Sequence, residues 1–490
     1  MKGNVKKILA AVLALALVLS VAGCGKDESL NEDGTYTVVW YNSDAPQKDT
    51  QLVFDELNKY TKEKIGVVVD YTAISPAEYA EKTQLLFSSR KKIDACFAST
   101  GTNYEKNARQ SAYYDMGKVL DSVGKPTKDL FPEYALDCFK VGGIQYGIPV
   151  LKDWAFQPFF NMNTEKLEKI GMVDAALNAT KLSDFTAIID KASAELKDDY
   201  NGTFYGILMR GNHNLLKFLP QETIAGSVIA GFTFDNYDTV INALNTDEAK
   251  EFYALMHDWY KKGYIKNDAA TSTSDSDLWK IGNYLSGHGE WLPGFYDNNG
   301  SVNAKNLTSP RMSTQQVTAC GLAIPSTTKN AEKTMEFINL LYTDEYVRNL
   351  LGLGIEGKHW VETEDGKWTI PEGFENKAET GWESAASSYG NRYLLKVQEG
   401  QPADLWDQIQ KYNEDSMKSG ALGFTFDPAP VAGQIAAVQN AYNEYMPAII
   451  VGAVDPEEAL PKAIAAMNAV GAEEIIKEAQ RQYDEWRKNK

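Results

Sequence analysis

The sequence predicts an α/β protein built on open sheets. Three observations carry that reading. With 43% hydrophobic and 24% charged residues, the chain is too rich in core-forming residues to be disordered. Its N-terminal part alternates short β-rich runs with helical periodicities. At 490 residues it is long enough for two or three domain-sized units, with no internal repeat or low-complexity stretch.

The elements follow in order. Residues 1–23 read as a leader, with Lys2, Lys6 and Lys7 ahead of an apolar run over 8–22. That run is shorter than the roughly 20 residues a spanning helix needs. It ends in Val21-Ala22-Gly23-Cys24, which resembles a lipobox. By that resemblance Cys24 carries the lipid and becomes the mature N-terminus. Two acyl chains hold a protein on a bilayer where one does not. Residues 24–34 (CGKDESLNEDG) are polar and Gly-flanked and read as a flexible tether.

Residues 35–40 (TYTVVW) and 66–71 (GVVVDY) are strand-like, as is the short run 93–98 (IDACFA). Between them, 49–64 has helical spacing through Leu52, Val53, Leu57 and Tyr60, and 78–87 has Tyr79, Leu85 and Leu86 for one face. Strand, helix, strand, helix, strand predicts an open parallel sheet. A short strand is expected within 142–149 and another over 204–209, with helices over 163–171, 182–198 and 247–263. Near the C-terminus Asp455 can cap a helix with Pro456 at its first position, and Gly471 separates two helices.

Charge and cysteine content exclude several function classes. Lys plus Arg total 49 against 67 acidic residues, a net charge of −18. Removing the leader leaves 46 against 67, or −21. Such a surface does not attract nucleic acid or adhere to anionic lipid by charge. Four cysteines do not make a disulfide scaffold. With Cys24 lipidated, Cys96, Cys138 and Cys320 are an odd number in apolar contexts, and are expected as buried free thiols.

Motifs for chemistry are weak. Gly352 to Gly357 fits G-x-G-x-x-G but follows a helical run, so its glycines read as helix-ending residues rather than a phosphate cradle. The four histidines show no metal-ligand spacing, and no nucleophile elbow occurs. The run 297–306 (DNNGSVNAKN) has Gly at its fourth position and lacks the final Glu of a calcium loop. No catalytic residue, cofactor or metal is expected.

The aromatic residues are more informative. Among 10 Trp and 26 Tyr, several lie in polar or Gly-rich stretches, as in Asp153-Trp154, Glu290-Trp291, Gly381-Trp382 and Tyr389-Gly390-Asn391-Arg392. A flat ring beside carboxylate, amide or guanidinium suits a sugar. The C–H face of the sugar stacks on the ring, and its hydroxyls take hydrogen bonds. In open α/β sheets ligands collect at the carboxyl ends of strands. Tyr41, Asn42, Ser43 and Asp44 stand there after the first strand, and Ser99 to Thr102 after the third.

Several segments resemble bacterial extracellular solute-binding proteins of the sugar-binding type that serve ABC importers. They are 40–120, 144–172 (IQYGIPVLKDWAFQPFFNMNTEKLEKIGM), 247–265 and 320–342 (CGLAIPSTTKNAEKTMEFINLLY). Residues 342–360, 423–431 (GFTFDPAPV) and 445–486 are similar to a C-terminal domain of unknown function found in lipoprotein members of that family. Residues 88–92 (SSRKK) lack a Gly usual before the short strand, and Asn391-Arg392 stands where an Asn-Gln pair is common.

The resemblance implies a two-lobed periplasmic-binding-protein-like fold, each lobe an open α/β sheet, with discontinuous lobes joined by a hinge. The N-terminal lobe would take 35–148 and 303–344, the C-terminal lobe 149–302 and 345–490. It further implies a binding protein rather than an enzyme, anchored by lipid outside the cytoplasmic membrane. A monomer would close on a small solute of carbohydrate class, an oligosaccharide, and present it to transmembrane permease subunits. The candidate ligand wall is Tyr41, Asn42 and Asp44 from one lobe. From the other come Trp154, Arg210, His213, Glu290, Trp291, Trp382, Tyr389, Asn391 and Arg392. Alternatives are a surface glycoside hydrolase, a sensor or adhesin lipoprotein, and a binder of peptides or another anionic or zwitterionic solute through Arg210 and Arg392, since Arg pairs with carboxylates as readily as with hydroxyls.

Overall fold

The computed structural model describes residues 30–295 and 301–490. The leader, Cys24 and residues 25–29 of the tether lie outside the described residues, as do residues 297–300 of the run DNNGSVNAKN. The first sheet runs in the order Val67–Ile74, Tyr36–Ser43, Ala95–Ala98, Gly321–Ala323, Gly147–Pro149. Its first three strands are parallel, with Tyr36 opposite Val67 and Ser43 opposite Ile74. The strand Gly321–Ala323 is antiparallel to both neighbours, so the sheet is mixed rather than wholly parallel. The reason is topological. The chain leaves this sheet after Pro149 and returns at Gly321 across the same edge, so the returning strand runs the other way. Gly321 is needed there, because a Cβ would stand 2.2 Å from the Phe139 ring.

Alternation on Tyr36–Ser43 buries Tyr36, Val38 and Trp40 on one face. Trp40 meets Phe54, Tyr71, Phe337 and Tyr389 edge-on. The helix Thr50–Ile65 covers this face with Val53, Phe54, Leu57 and Thr61 and ends at Gly66 in the left-handed region (φ 67°). Leu52 points outward. The helix Pro76–Ser89 covers the opposite face with Tyr79 and Thr83, while Leu85 is 65% exposed. At about 100° per residue, Leu85 lies some 240° round the helix from Tyr79, so the two cannot share a face.

The second sheet has the order Ser301–Ala304, Pro158–Asn163, Tyr284–Glu290, Tyr205–Ile207. Pro158–Asn163 is antiparallel to both neighbours, whereas Tyr284–Glu290 and Tyr205–Ile207 are parallel. Its core joins Phe160, Ile188 and Trp259 to Met446, Ile475 and Tyr483 of the C-terminal helices. Those helices are Ala432–Ile450, Pro456–Ala469 and Ala472–Asn489. Asp455 caps the second through Glu457 N, and Gly471 (φ 108°) separates the last two, as their sequence predicts. The sequence reading did not include the antiparallel meander Gln221–Thr223, Ala230–Thr233, Asn236–Asn242.

The core does not change hands at residue 344. The helix Glu345–Leu353 follows Ala331–Thr343 directly, turning at Asp344, which caps Val347 N at 2.9 Å. Asp344 is tied to the first lobe by Lys64 (2.6 Å) and Tyr60 (2.8 Å). Val347, Leu351, Trp382 and Tyr389 consequently join Tyr36, Val38 and Trp40 in one core, where the sequence reading had placed 345–490 with the second lobe. The chain reaches the second core only after Met417–Lys418, which pairs in parallel with Arg311–Met312.

Three segments therefore cross between lobes: residues 150–157, 305–320 and 416–423. Phe156 and Arg311 exchange backbone hydrogen bonds (2.7 and 3.0 Å). Asn413, 5% exposed, holds the first crossing. Its Oδ1 accepts from Trp154 N (2.8 Å) and Ala155 N (2.9 Å), and its Nδ2 donates to Lys152 O (2.8 Å) and Tyr393 Oη (3.0 Å). Cys96, Cys138 and Cys320 are free thiols; the first two are buried and Cys320 is partly so.

Candidate functional site

The sequence-predicted residues separate into three groups. Trp154, Trp382, Tyr389 and Asn391 are structural. Trp154 Nε1 donates to Val150 O (2.8 Å) and its ring stacks on Phe131. Trp382 Nε1 and Tyr389 Oη both donate to Leu351 O, at 3.1 and 2.9 Å. Asn391 donates to Tyr342 O (3.2 Å) and accepts from Tyr393 N (3.0 Å). All four are buried, so none presents a face to a ligand in this structure. Trp382, Tyr389 and Asn391 bond to backbone 31, 38 and 49 residues away, which their polar sequence context could not reveal.

The second group fixes the ends of strands. Asn42 Nδ2 donates to Ser388 Oγ (2.9 Å). Asp44 accepts from Ala45 N (2.7 Å), Ala385 N (3.1 Å) and Ser384 Oγ (3.3 Å), and burial raises its carboxyl pKa. Together they dock residues 384–388 on the carboxyl end of Tyr36–Ser43. The Tyr41 ring packs beside Ile74, Tyr79 and Phe97.

In the second lobe Arg210 follows Tyr205–Ile207 and pairs with Asp275 (2.7 Å) while donating to Thr273 O (2.7 Å). His213 stacks on His288, ring centroids 4.1 Å apart, and burial lowers both imidazoles, His288 to about 2. Glu290 ends its strand in solvent. Trp291 meets Tyr412 edge-on and carries Lys305 Nζ 3.4 Å from its ring centroid.

Arg392 alone lines a cavity of the kind expected. Its guanidinium packs against one side of the Phe295–Trp406 pair, 5.2 and 5.4 Å from the ring centroids, and Nη1 donates to Asp153 Oδ1 at 2.9 Å. The cavity holds about 500 Å³ and is bounded by Phe295, Trp368, Ser384, Arg392, Lys396 and Trp406. Phe295 follows the strand Tyr284–Glu290 of the second lobe. Ser384 belongs to the loop docked by Asp44, and Trp406 to the helix Leu405–Asp415. Lys377 also lines it, donating to Leu353 O (2.6 Å) and His359 O (2.8 Å), with burial lowering its pKa to about 8. Three rings, the three cations Arg392, Lys396 and Lys377, and hydroxyl groups converge here, a chemistry that fits a polyhydroxylated ligand.

Phe295, Trp368, Lys396 and Trp406 are absent from the sequence-based candidates. Trp406 was overlooked because it sits in an amphipathic helix rather than a Gly-rich loop. Its Nε1 donates to Leu395 O (2.6 Å), which fixes the ring against Arg392.

Two further cavities, of about 190 and 410 Å³, lie along the crossing segments and share Glu222, Thr223, Ser313 and Gln315. The described residues contain no cluster of three or more His, Cys, Asp or Glu placed to hold a metal ion. No described helix is long and apolar enough to cross a membrane.

Comparison with known proteins agrees with this architecture. Residues 57–354 match the bacterial extracellular solute-binding protein family, and 420–488 match a domain of unknown function. A carbohydrate ABC transporter substrate-binding protein of Streptococcus pneumoniae serotype 4 is 27% identical over the full length of both chains. The crystal structure of the N-glycan transport solute binding protein NgtS from Streptococcus pneumoniae superposes with a TM-score of 0.81 at 24% identity, covering 92% of this chain and 99% of that one. The same protein in complex with Man1GlcNAc gives 0.73 at 24% identity, over 92% and 99% of the two chains. With the match spanning well over half its length and two sheets joined by three crossings, the chain belongs to the bacterial extracellular solute-binding protein family.

Proposed function

We propose that this protein is the binding component of an ABC importer and captures an oligosaccharide between its lobes. The observation that carries the reading is the cavity around Arg392, where rings from both lobes stand beside a guanidinium held by a crossing segment. Each aromatic contact with a sugar is worth about 0.5–1.5 kcal/mol beyond its buried area. Each hydrogen bond to a charged group is worth about 1.5–3 kcal/mol. A micromolar ligand needs about −8 kcal/mol net of association costs, so groups from both walls must act together. Closure is then a population shift driven by contacts that exist only when the lobes approach. The names of the Streptococcus relatives support a glycan as the ligand class. The protein acts as a monomer, held outside the cytoplasmic membrane by lipid on Cys24, and hands its ligand to a pair of permease subunits.

The test is calorimetry of the mature chain against a panel of neutral glycans including Man1GlcNAc. Arg392→Met and Trp406→Ala should each weaken the best ligand at least tenfold, while Trp154→Phe, within the core, should leave affinity unchanged in a folded protein. Full affinity in both site variants would move the ligand elsewhere.

A further inference from the structure

Arg210 and His213 lie outside the Arg392 cavity, and beside them stands an aromatic residue absent from the sequence-based candidates. Trp279, on the short helix Ser276–Ile281, is 60% exposed. Tryptophan is normally well covered, and Trp40, Trp154, Trp259, Trp360 and Trp382 are all buried here. The six-membered ring of Trp279 rests over Gly287, where a Cβ would lie 3.8 Å from Cζ2, and the indole meets Tyr284 edge-on at 5.2 Å. The ring is therefore held in place while more than half of the residue faces solvent.

The second sheet sets its location. The strand Tyr284–Glu290 runs parallel to Tyr205–Ile207, so Glu290 and Arg210 emerge at the same end. That end points toward the first lobe. Trp291, the next residue, meets Tyr412 edge-on at 5.6 Å, and its carbonyl accepts from Tyr412 Oη at 3.3 Å. Tyr412 lies on the helix that precedes the third crossing. Trp279 stands one turn beyond Asp275, its N donating to Asp275 O at 3.0 Å. Gly287, beneath the ring, adjoins His288, which stacks on His213. His213 and Arg210 in turn exchange backbone hydrogen bonds (2.8 and 3.2 Å). The indole, the imidazole pair and the Arg210–Asp275 pair thus gather toward the carboxyl end of parallel strands, where α/β sheets collect ligands.

Arg210 uses Nε on Asp275 and Nη1 on Thr273 O, which leaves Nη2. Asp275, 2.7 Å away, balances its charge, so the pair offers a directed donor with no net charge. That favours a hydroxyl oxygen over a carboxylate or phosphate. We infer that Trp279 and the Arg210–Asp275 pair form the glycan contact of the second lobe, taking one neutral sugar unit. Its C–H face stacks on the indole, and one hydroxyl accepts from Arg210 Nη2. The inference rests on the glycan reading above. It supplies a second-lobe wall that the Arg392 cavity lacks, since Phe295 is the one residue from that lobe on the cavity's boundary. Trp279 is not on that boundary, so a ligand that touches both has more than one sugar unit.

The experiment is calorimetric titration of the mature chain with neutral glycans including Man1GlcNAc and Man5GlcNAc, with acrylamide quenching of tryptophan fluorescence alongside. Trp279→Ala and Arg210→Gln should each weaken the best ligand at least fivefold, and Trp279→Phe, which keeps a flat ring, should lose less. Trp279 is exposed, so its variants should melt with the parent. Ile281→Ser alters an equally exposed apolar residue (62%) on the same helix and should leave affinity unchanged. Saturating glycan should lower quenching in the parent, and this protection should shrink in Trp279→Phe. Full affinity in Trp279→Ala, an equal loss in Ile281→Ser, or undiminished protection in Trp279→Phe would overturn the inference. Weakened binding in Arg392→Met beside full affinity in Trp279→Ala overturns this inference alone. The reverse pattern overturns the Arg392 assignment and supports this one. Absence of binding by every glycan overturns the glycan reading and this inference with it.

Discussion

Asn413 offers the most direct test of how the crossing between lobes is held. Asn413→Ala removes one acceptor that serves two backbone donors, Trp154 N and Ala155 N, and one donor that serves Lys152 O and Tyr393 Oη. The residue is 5% exposed and Trp154 is 4% exposed, so water does not replace these bonds without local opening. An orphaned buried donor costs about 1–3 kcal/mol. Two of them place the loss at about 2–6 kcal/mol. Urea unfolding followed by tryptophan fluorescence measures it, with an unchanged slope showing that the variant unfolds from the same compact state. Asn413→Leu separates the causes. It fills the volume without an acceptor, so if the hydrogen bonds matter it should be as unstable as the Ala variant. A loss below about 1 kcal/mol in Asn413→Ala, or recovery of stability in Asn413→Leu, would refute the reasoning.

Other outcomes follow from the same geometry. His288 is held neutral, its imidazole lowered by burial to about 2 from an ordinary 6.5. The unfolded chain takes up a proton below pH 6.5 that the folded chain refuses, so this group removes stability as pH falls from about 6.5 toward 2, by at most about 1.4 kcal/mol per pH unit. His288→Asn should flatten the decline between pH 7 and pH 5 in thermal melts; an identical slope would contradict the assignment. Glu222 has the opposite sign. Its pKa is raised from 4.5 to about 7, so its contribution is full below pH 4.5 and is lost as pH rises to about 7. Glu222→Gln should accordingly gain stability relative to the parent at pH 8 and none at pH 4, read by denaturant midpoints. Gly390 has φ 65°, and a Cβ there would stand 2.3 Å from Leu341 O. Gly390→Ala should cost more than about 1 kcal/mol and also weaken glycan binding, since it displaces Arg392 two residues on; calorimetry on the folded fraction reads the second effect.

Much of the fold was legible because local physics decides it. The left-handed Gly66, Pro76 at a helix start, Asp455 before Pro456, and the strand–helix alternation over 36–98 all act through near neighbours. The mixed direction of the first sheet was not legible. It depends on a chain that leaves at Pro149 and returns at Gly321, more than 150 residues later. The candidate site was legible in kind and poorly in place. Rings beside polar groups do mark the cavity, but Arg392 is the one predicted residue that lines it.

By itself the sequence determined the class of the fold, the positions of its well-capped helices, and the acidic character of the surface, since each depends on residue type and spacing within a few turns. Tertiary structure decided which aromatic residues are available. Trp382 and Tyr389 lie in Gly- and Ser-rich sequence, yet both bond to Leu351 O inside the first core, while Trp406 from an amphipathic helix frames Arg392. It also decided that residues 345–395 stay with the first lobe, through Lys64 and Tyr60 holding Asp344 across some 280 residues of chain. Burial and ion pairing join groups that are close in space and remote in sequence, and no local pattern records which remote group will arrive.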